Sequence, residues 1–486
     1  MRPLASGCRN FPATTRFPRG CATARNASSP AWRADMNATR RTALLGGSAL
    51  ILAGCDTLRD WGDSILGTTK VPLSGERVPV IAASQQGIGV DADAAGRRVE
   101  LPTPQSNTTW LQPGGTPDHA PGHPALPRPI GQVWRTDIGS GNGYRQRLTA
   151  APVLDENTAY AMDAFGWVSA IDLARGSRRW QTDTRPRRDR DGAMGGALAL
   201  EGGTLYVATG LAEIMALDPA NGTIKWRAPL ASAARGGIVV GAGRIFVPNV
   251  ANQVQALSTE DGRQLWAYSG RPVQALPLGL ASPALVDDTV VCGMASGEIT
   301  ALRVNDGRQL WSESLATNNA AAASIADIGA ITASPVIDRG RVFVVGMGGL
   351  TSALDLRSGR RVWEREVGGI QTPWSAGDWL FVLTRENRLL AMGRDDGRIR
   401  WLCSLPQFED ERRRRDPISW GPPVLAGGRL LLTGSHAQMF EVDAADGEIV
   451  ARLRLPGGSE LQPAIAQSSA YLLTDSGELV ALRGVG

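Results

Sequence analysis

A motif that returns along most of the chain constrains its fold more than any other feature. An apolar residue, a variable residue, Ala and a second apolar residue lead into a short turn, then Gly, three residues and Trp. Six copies are complete: Ala170 with Gly176 and Trp180, Ala216 with Gly222 and Trp226, Ala256 with Gly262 and Trp266, Ala301 with Gly307 and Trp311, Ala353 with Gly359 and Trp363, and Ala391 with Gly397 and Trp401. Successive tryptophans stand 46, 40, 45, 52 and 38 residues apart. A seventh copy, Val442-Asp443 with Gly447, carries Ala451 where Trp is expected. Such a period is too long for one hairpin and fits a four-stranded blade of a propeller.

Each copy reads as strand, turn, strand. Asn221-Gly222, Asp261-Gly262, Asp306-Gly307, Asp396-Gly397 and Asp446-Gly447 mark hairpins, because glycine accepts a positive φ there. A further pair of strands precedes each copy, and its first strand begins near Pro152, Ala197, Ile238, Pro283, Pro335, Pro373, Pro423 or Pro463, which counts eight units. Proline is tolerated at a strand's first residue. The eighth unit ends after residues 478–482 with its fourth strand missing, and Gln132-Val133-Trp134-Arg135 has the composition to supply it. The expectation is an all-β, eight-bladed propeller of four-stranded antiparallel blades, closed by an N-terminal strand near residues 132–136. The Trp residues, Trp134 included, and the turn glycines are read as structural: an indole over a small Ala or Gly of a neighbouring strand or blade buries about 150–250 Å².

Composition agrees. With 58 Gly and 30 Pro the chain suits many turns, and 43% hydrophobic residues with a mean hydropathy of -0.13 is globular. The pI near 9.0 invites a nucleic-acid partner, but the charge is local. Residues 1–35 hold six arginines against Asp35, and Arg40 and Arg41 follow; without that +7 the chain's +4 becomes -3. The folded part then lacks the clustered cations that phosphate neutralisation needs, so no nucleic acid is expected.

The front of the chain reads as an address. From Met36, Arg40 and Arg41 precede an apolar stretch from Thr42 to Ala53, and small residues lead to Cys55. This is a secretion signal, too short to span about 30 Å of hydrocarbon as a helix. Leu52-Ala53-Gly54-Cys55 resembles the bacterial lipobox, which makes Cys55 the lipidated N-terminus and the membrane anchor. Residues 1–35 are then a misassigned leader, with translation starting at Met36, although their arginine-rich composition also fits a transit peptide. Arg40-Arg41 loosely resembles a twin-arginine signal. Residues 36–54 form the signal peptide, 55–106 a tether and 107–486 the propeller, with Trp110 to Leu126 crossing the ring.

Chemistry-bearing residues are sparse. Cys292 and Cys403 each sit in an apolar run and no CxxC occurs. His119, His123 and His436 lack zinc-ligand spacing. The expectation is no catalytic residue, no metal and no cofactor.

The repeat Ala-x-Asp-x-x-x-Gly-x-x-x-Trp resembles that of the pyrroloquinoline-quinone-type (PQQ-like) eight-bladed propellers over residues 107–486. Within that family, a lipobox followed by a single propeller resembles the lipoprotein subunits of the outer-membrane β-barrel assembly (Bam) machinery. Residues 370–380 and 405–411 are similar to segments of α-proteobacterial members. The resemblance implies a non-enzymatic scaffold that docks on the periplasmic POTRA domains of the barrel-forming subunit BamA, joins other Bam subunits, and aids insertion of outer-membrane proteins. It implies a docking surface at residues 276–283 and 328–335, including Leu276, Leu278, Gly279, Leu280, Ala330 and Thr332. Gly279 stands where better-studied members carry Arg, and Ala330 and Thr332 where they carry acids, so apolar contact is expected and the charged part is in question. The implied location is the periplasmic face of the outer membrane, while Asp56 after Cys55 resembles an inner-membrane retention signal.

Two alternatives share the fold. A quinoprotein dehydrogenase resembles its relatives in a vicinal cysteine pair over the quinone, calcium ligands and an aspartate base; here 111 positions separate Cys292 from Cys403, and the acids Asp218, Asp261, Asp306 and Asp396 sit in turns. A periplasmic ligand-binding or sensor propeller would show a cleft of convergent polar groups. The charged stretches 185–191 and 409–416 are expected as solvated loops between blades, and exposed strand edges as transient holders of unfolded outer-membrane strands.

Overall fold

The turn chemistry of the repeat builds each blade. In the first, Asp172 ends one strand and Arg178 begins the next; the Gly176 N–H donates to the Asp172 carbonyl at 2.8 Å while the Asp172 carboxylate accepts the N–H groups of Ala174 and Arg175, both at 3.0 Å. The seven turn glycines close these hairpins with φ between +66° and +81°. The computed structural model describes residues 88–187, 193–315 and 329–485. Over them the chain forms eight four-stranded antiparallel sheets and a two-stranded hairpin, Phe408–Asp410 with Arg415–Pro417.

Blades 1 to 8 are numbered by their innermost strands: Val153–Leu154, Gly196–Glu201, Val239–Gly241, Ala284–Val286, Val336–Asp338, Trp374–Ala376, Val424–Ala426 and Ala464–Ala466. Six of the eight begin directly after the prolines noted in the sequence. Blade 8 takes Ile130–Asp137 as its outer strand, paired antiparallel with Glu478–Gly484. The expected architecture and closure are both found.

Tryptophan welds one blade to the next. Within a blade Ala170 faces Trp180, and the same pairing recurs for Ala216 with Trp226, Ala256 with Trp266, Ala301 with Trp311, Ala353 with Trp363 and Ala391 with Trp401. Each indole then reaches the following blade. A Cβ placed on Gly176, Gly222, Gly262, Gly307, Gly359, Gly397 or Gly447 would fall 2.5–2.7 Å from the indole of Trp134, Trp180, Trp226, Trp266, Trp311, Trp363 or Trp401, respectively. Each Nε1–H donates to a carbonyl of the same turn at 2.7–3.3 Å. A β-bulge precedes each Trp and turns its neighbour outward. That is why Val133, Leu265 and Leu310 are exposed on the rim.

Ala451 marks the junction that lacks this weld. The corresponding turn of blade 8 would join its third and fourth strands, but those are the chain's two ends, so a Trp from blade 7 would have no turn to stand on. Glu441 takes the Ala position opposite Ala451 and accepts a 2.5 Å bond from Nε of Arg429, whose side chain is wholly buried. Arg429 also donates to the carbonyls of Leu126 at 3.0 Å and Pro127 at 2.7 Å, just ahead of the closing strand. A buried ion pair thus holds the seam.

Residues 107–124 make a circuit of the ring where a simple crossing was expected. Asn107 bonds to Gln467 and Ile465 of blade 8, Trp110 to Leu154 of blade 1, Leu111 to Leu200 of blade 2 and Gln112 to Val240 of blade 3. Pro117 then accepts from Leu285 of blade 4, Asp118 from Ile337 of blade 5, Gly122 from the Trp374 indole of blade 6, and Pro124 from Gly427 beside blade 7. The innermost strand of a blade has an unpaired edge, and this strap satisfies it blade by blade. Trp110 stacks on Trp374 with centroids 6.3 Å apart, both buried. Ahead of the strap, Asp91 pairs with Arg365 at 2.8 Å and Arg97 with Asp396 at 2.7 Å, so residues 88–106 dock on blades 5 and 6. The rest of the expected tether, the signal peptide and Cys55 lie outside the described residues.

Candidate docking surface

The strap lies at the ends of the innermost strands that turn back into the second strands. The opposite end of the ring carries the connections from one blade to the next, and four of these are laced together around blades 2 to 6. Leu280 donates to the Arg235 carbonyl at 3.2 Å and forms a parallel bridge with Gly236. Ser282 N–H donates to Ser334 Oγ at 3.1 Å, Ser334 N–H to Thr372 Oγ1 at 3.1 Å, and Thr332 Oγ1 to the Ile370 carbonyl at 3.4 Å. Over their described residues these loops are anchored sideways into one platform, which limits their freedom to reorganise.

The structure brings the two segments implied by the sequence into one surface, since Ser282 and Ser334 bond directly. Their residues differ in access. Leu278 is 64% exposed and Gly279 is exposed with open space around it, while Leu276 and Leu280 are half-buried. Ala330 is fully buried with its carbonyl accepting from Met347 at 3.1 Å, so its side chain offers nothing to a partner. Thr332 is half-buried, and Ile328 lies outside the described residues.

Two features of the platform were not singled out as docking residues from the sequence. Ile370, from the connection between blades 5 and 6, is 45% exposed and adds a second apolar point. Arg235, between blades 2 and 3, is half-buried, and its Nε is buried without an acceptor among the described residues. Arg235 lies in no motif and Ile370 only opens the segment 370–380; the fold is what places them beside Leu280 and Thr332.

The groups that could support catalysis are dispersed. Cys292 lies in blade 4 and Cys403 in blade 6, both buried and free, and burial pushes both thiols up. His119 and His123 belong to the strap. Nε2 of His123 accepts the Gly428 N–H at 2.7 Å, which leaves the proton on Nδ1 to donate to the Pro102 carbonyl at 2.6 Å. His119 Nδ1 lies 2.8 Å from the Pro335 carbonyl. Burial lowers both imidazoles below the ordinary value, so they are neutral connectors. His436 sits in a turn, edge-on to Trp420 at 4.9 Å. Among the described residues no three His, Cys, Asp or Glu side chains gather as a metal site. No two cysteines are adjacent in the sequence and no cluster of acids is gathered among the described residues, so the residues present do not fit a quinone cofactor with its calcium.

The hairpin 408–417 rearranges the second charged stretch. Glu411 accepts from the Gln407 and Phe408 N–H groups at 2.7 and 3.2 Å, Asp410 pairs with Arg413 at 3.7 Å, and Arg414 lies over the Phe408 ring. The other charged stretch is described only as far as Arg187.

With the geometry established, known proteins give it context. The sequence profile of the family described as outer membrane protein assembly factor BamB matches residues 164–402 and 407–484. The chain belongs to the BamB family. BamB of Yersinia pestis is 26% identical over 358 residues, covering 72% of this chain and 88% of that one. BamB of Escherichia coli strain K12 is 26% identical over 394 residues with the same coverage. In three dimensions the chain is similar to BamB from Moraxella catarrhalis, with a TM-score of 0.60 and 17% identity over 73% of this chain and 98% of that one. A europium-containing methanol dehydrogenase reaches a TM-score of 0.63 at 13% identity over 77% and 98%, a likeness of fold alone. BamB relatives are named as assembly factors, and the enzymes share only the propeller.

Proposed function

We propose that this chain is a non-enzymatic scaffold of the outer-membrane protein assembly machinery, docking on the POTRA domains of BamA. The observation that carries the reading is the platform: four neighbouring connections cross-bonded to one another, with Leu278 and Ile370 exposed on it. A preorganised surface loses little conformational freedom on binding, which suits a part whose role is to orient another. The strap supports a non-enzymatic role, because it occupies the axial ends of the blades with the chain's own residues. Membership of the BamB family supports the machinery, the outer membrane and association with other Bam subunits. In this reading residues 36–54 direct export, lipid on Cys55 holds the chain at the periplasmic face, residues 56–87 tether it, and outer blade edges hold unfolded client strands briefly by strand addition.

A photo-crosslinking residue at Leu278 in the full-length lipidated protein, followed by mass spectrometry from native membranes, tests this. The expected product joins residue 278 to a BamA POTRA domain. Recovery of the BamA complex with crosslinks only from the strap side overturns the surface, and absence of any Bam subunit overturns the function.

A further inference from the structure

Among the described residues of the platform, Arg235 is a half-buried cation without a counter-charge. Its neighbours are satisfied: Arg271 pairs with Glu298 at 2.5 Å and Arg227 with Glu213 at 2.8 Å. Arg235 makes no ion pair among the described residues, and its Nε is closed off from water without an acceptor. A carboxylate cannot reach that closed-off Nε, but the two terminal amino groups are not among the buried unpaired atoms and have no acceptor among the described residues, and this end of a guanidinium is shaped to take a carboxylate by two parallel bonds. The backbone places Arg235 at the apolar point: its carbonyl accepts the N–H of Leu280, two residues beyond exposed Leu278.

We propose that Arg235 is the charge-recognising residue of the docking face and that it receives an aspartate or glutamate presented by the partner protein beside an apolar pocket for Leu278. The proposal rests on the docking reading above and adds the chemistry of the partner surface. It also answers the missing cation at Gly279: the charge comes from the preceding connection, between blades 2 and 3, and not from the Leu276–Leu280 loop.

The test uses the full-length lipidated protein in native membranes, with the photo-crosslinker at residue 278 as readout. In R235Q the crosslinked fraction should fall about tenfold at low salt, and R235K should recover only part of it, since lysine lacks the planar fork. Raising NaCl should weaken the parent protein and leave R235Q little changed. The partner peptide at residue 278 should contain an acid whose exchange for lysine restores R235E. An R235Q yield equal to the parent's at both salt concentrations overturns the role of Arg235 while the docking surface stands. Failure of the charge exchange to restore R235E likewise overturns it. Crosslinks to lipid, or to no protein, remove the docking surface and this proposal with it. Near-UV circular dichroism of R235Q matching the parent's shows that the fold is kept; if R235Q misfolds, R235K decides.

Discussion

At the scale of single residues, the repeat uses one glycine for two purposes. Gly359 adopts φ +71°, and a Cβ there would fall 2.7 Å from the indole of Trp311. Gly340 adopts φ +75° with nothing within 4 Å. Alanine at either site meets the left-handed backbone penalty of about 1–2 kcal/mol, so the difference between the two variants isolates the indole contact. G359A should therefore cost about 1–3 kcal/mol more than G340A, because the indole and its 2.7 Å bond to the Leu356 carbonyl must shift. Urea unfolding of both variants against the parent measures it. Equal losses would mean that the glycine serves only the turn.

At the scale of elements, the sequence announced what is periodic and hid what is not. The blades were readable because Asp-Gly turns and paired Ala and Trp recur, and ring closure because residues 132–135 carry the strand and Trp that the eighth unit lacks. The strap was not, since residues 107–124 bond mostly through main-chain groups, with single side chains such as Asn107 and Gln112 that form no repeating pattern. The burial of Ala330 was hidden for the same reason: it is set by the fold, where Met347 of blade 5 bonds to its carbonyl, and a resemblance at that position carries no information about its access. The strap also has a pH dependence. Burial lowers His119 and His123 below 6.5, so the folded state favours neutral rings and the unfolded chain binds more protons in acid. Their contribution is present above pH 6.5 and is lost as pH falls from there through the folded values. Asp475 acts in the opposite sense: burial and Glu460 push its carboxyl up to about 6, so its contribution grows as pH falls. Comparison of the parent with H119Q/H123Q cancels the Asp475 term. The double variant should melt lower at pH 8 and lose less between pH 7 and pH 5 than the parent; parallel melting curves would remove the histidines from the strap's stability.

For the whole molecule, closure is the point where one chain must become a ring, and it is built differently from the other junctions. Seven junctions rest on an indole and a glycine turn; the eighth rests on Arg429 and Glu441. The difference matters because the pair binds three things together: blade 7 through Glu441, the strap's end through the Leu126 carbonyl, and the approach to the closing strand through Pro127. Removing one partner leaves a wholly buried guanidinium without its counter-charge, whereas removing an indole leaves an apolar void. E441A should thus destabilise by about 3–5 kcal/mol, similar in size to the loss in W266A but different in place. In hydrogen exchange, E441A should release Ile130–Asp137, Glu478–Gly484 and residues 107–124 together, because they share the clamp. W266A should loosen only blades 3 and 4, since its indole bonds to Val304 of blade 4. Exchange confined to blade 7 in E441A would show that the clamp holds its own sheet and not the ring. Release of the closing strand by W266A as readily as by E441A would show that the ring opens as one unit wherever it is weakened.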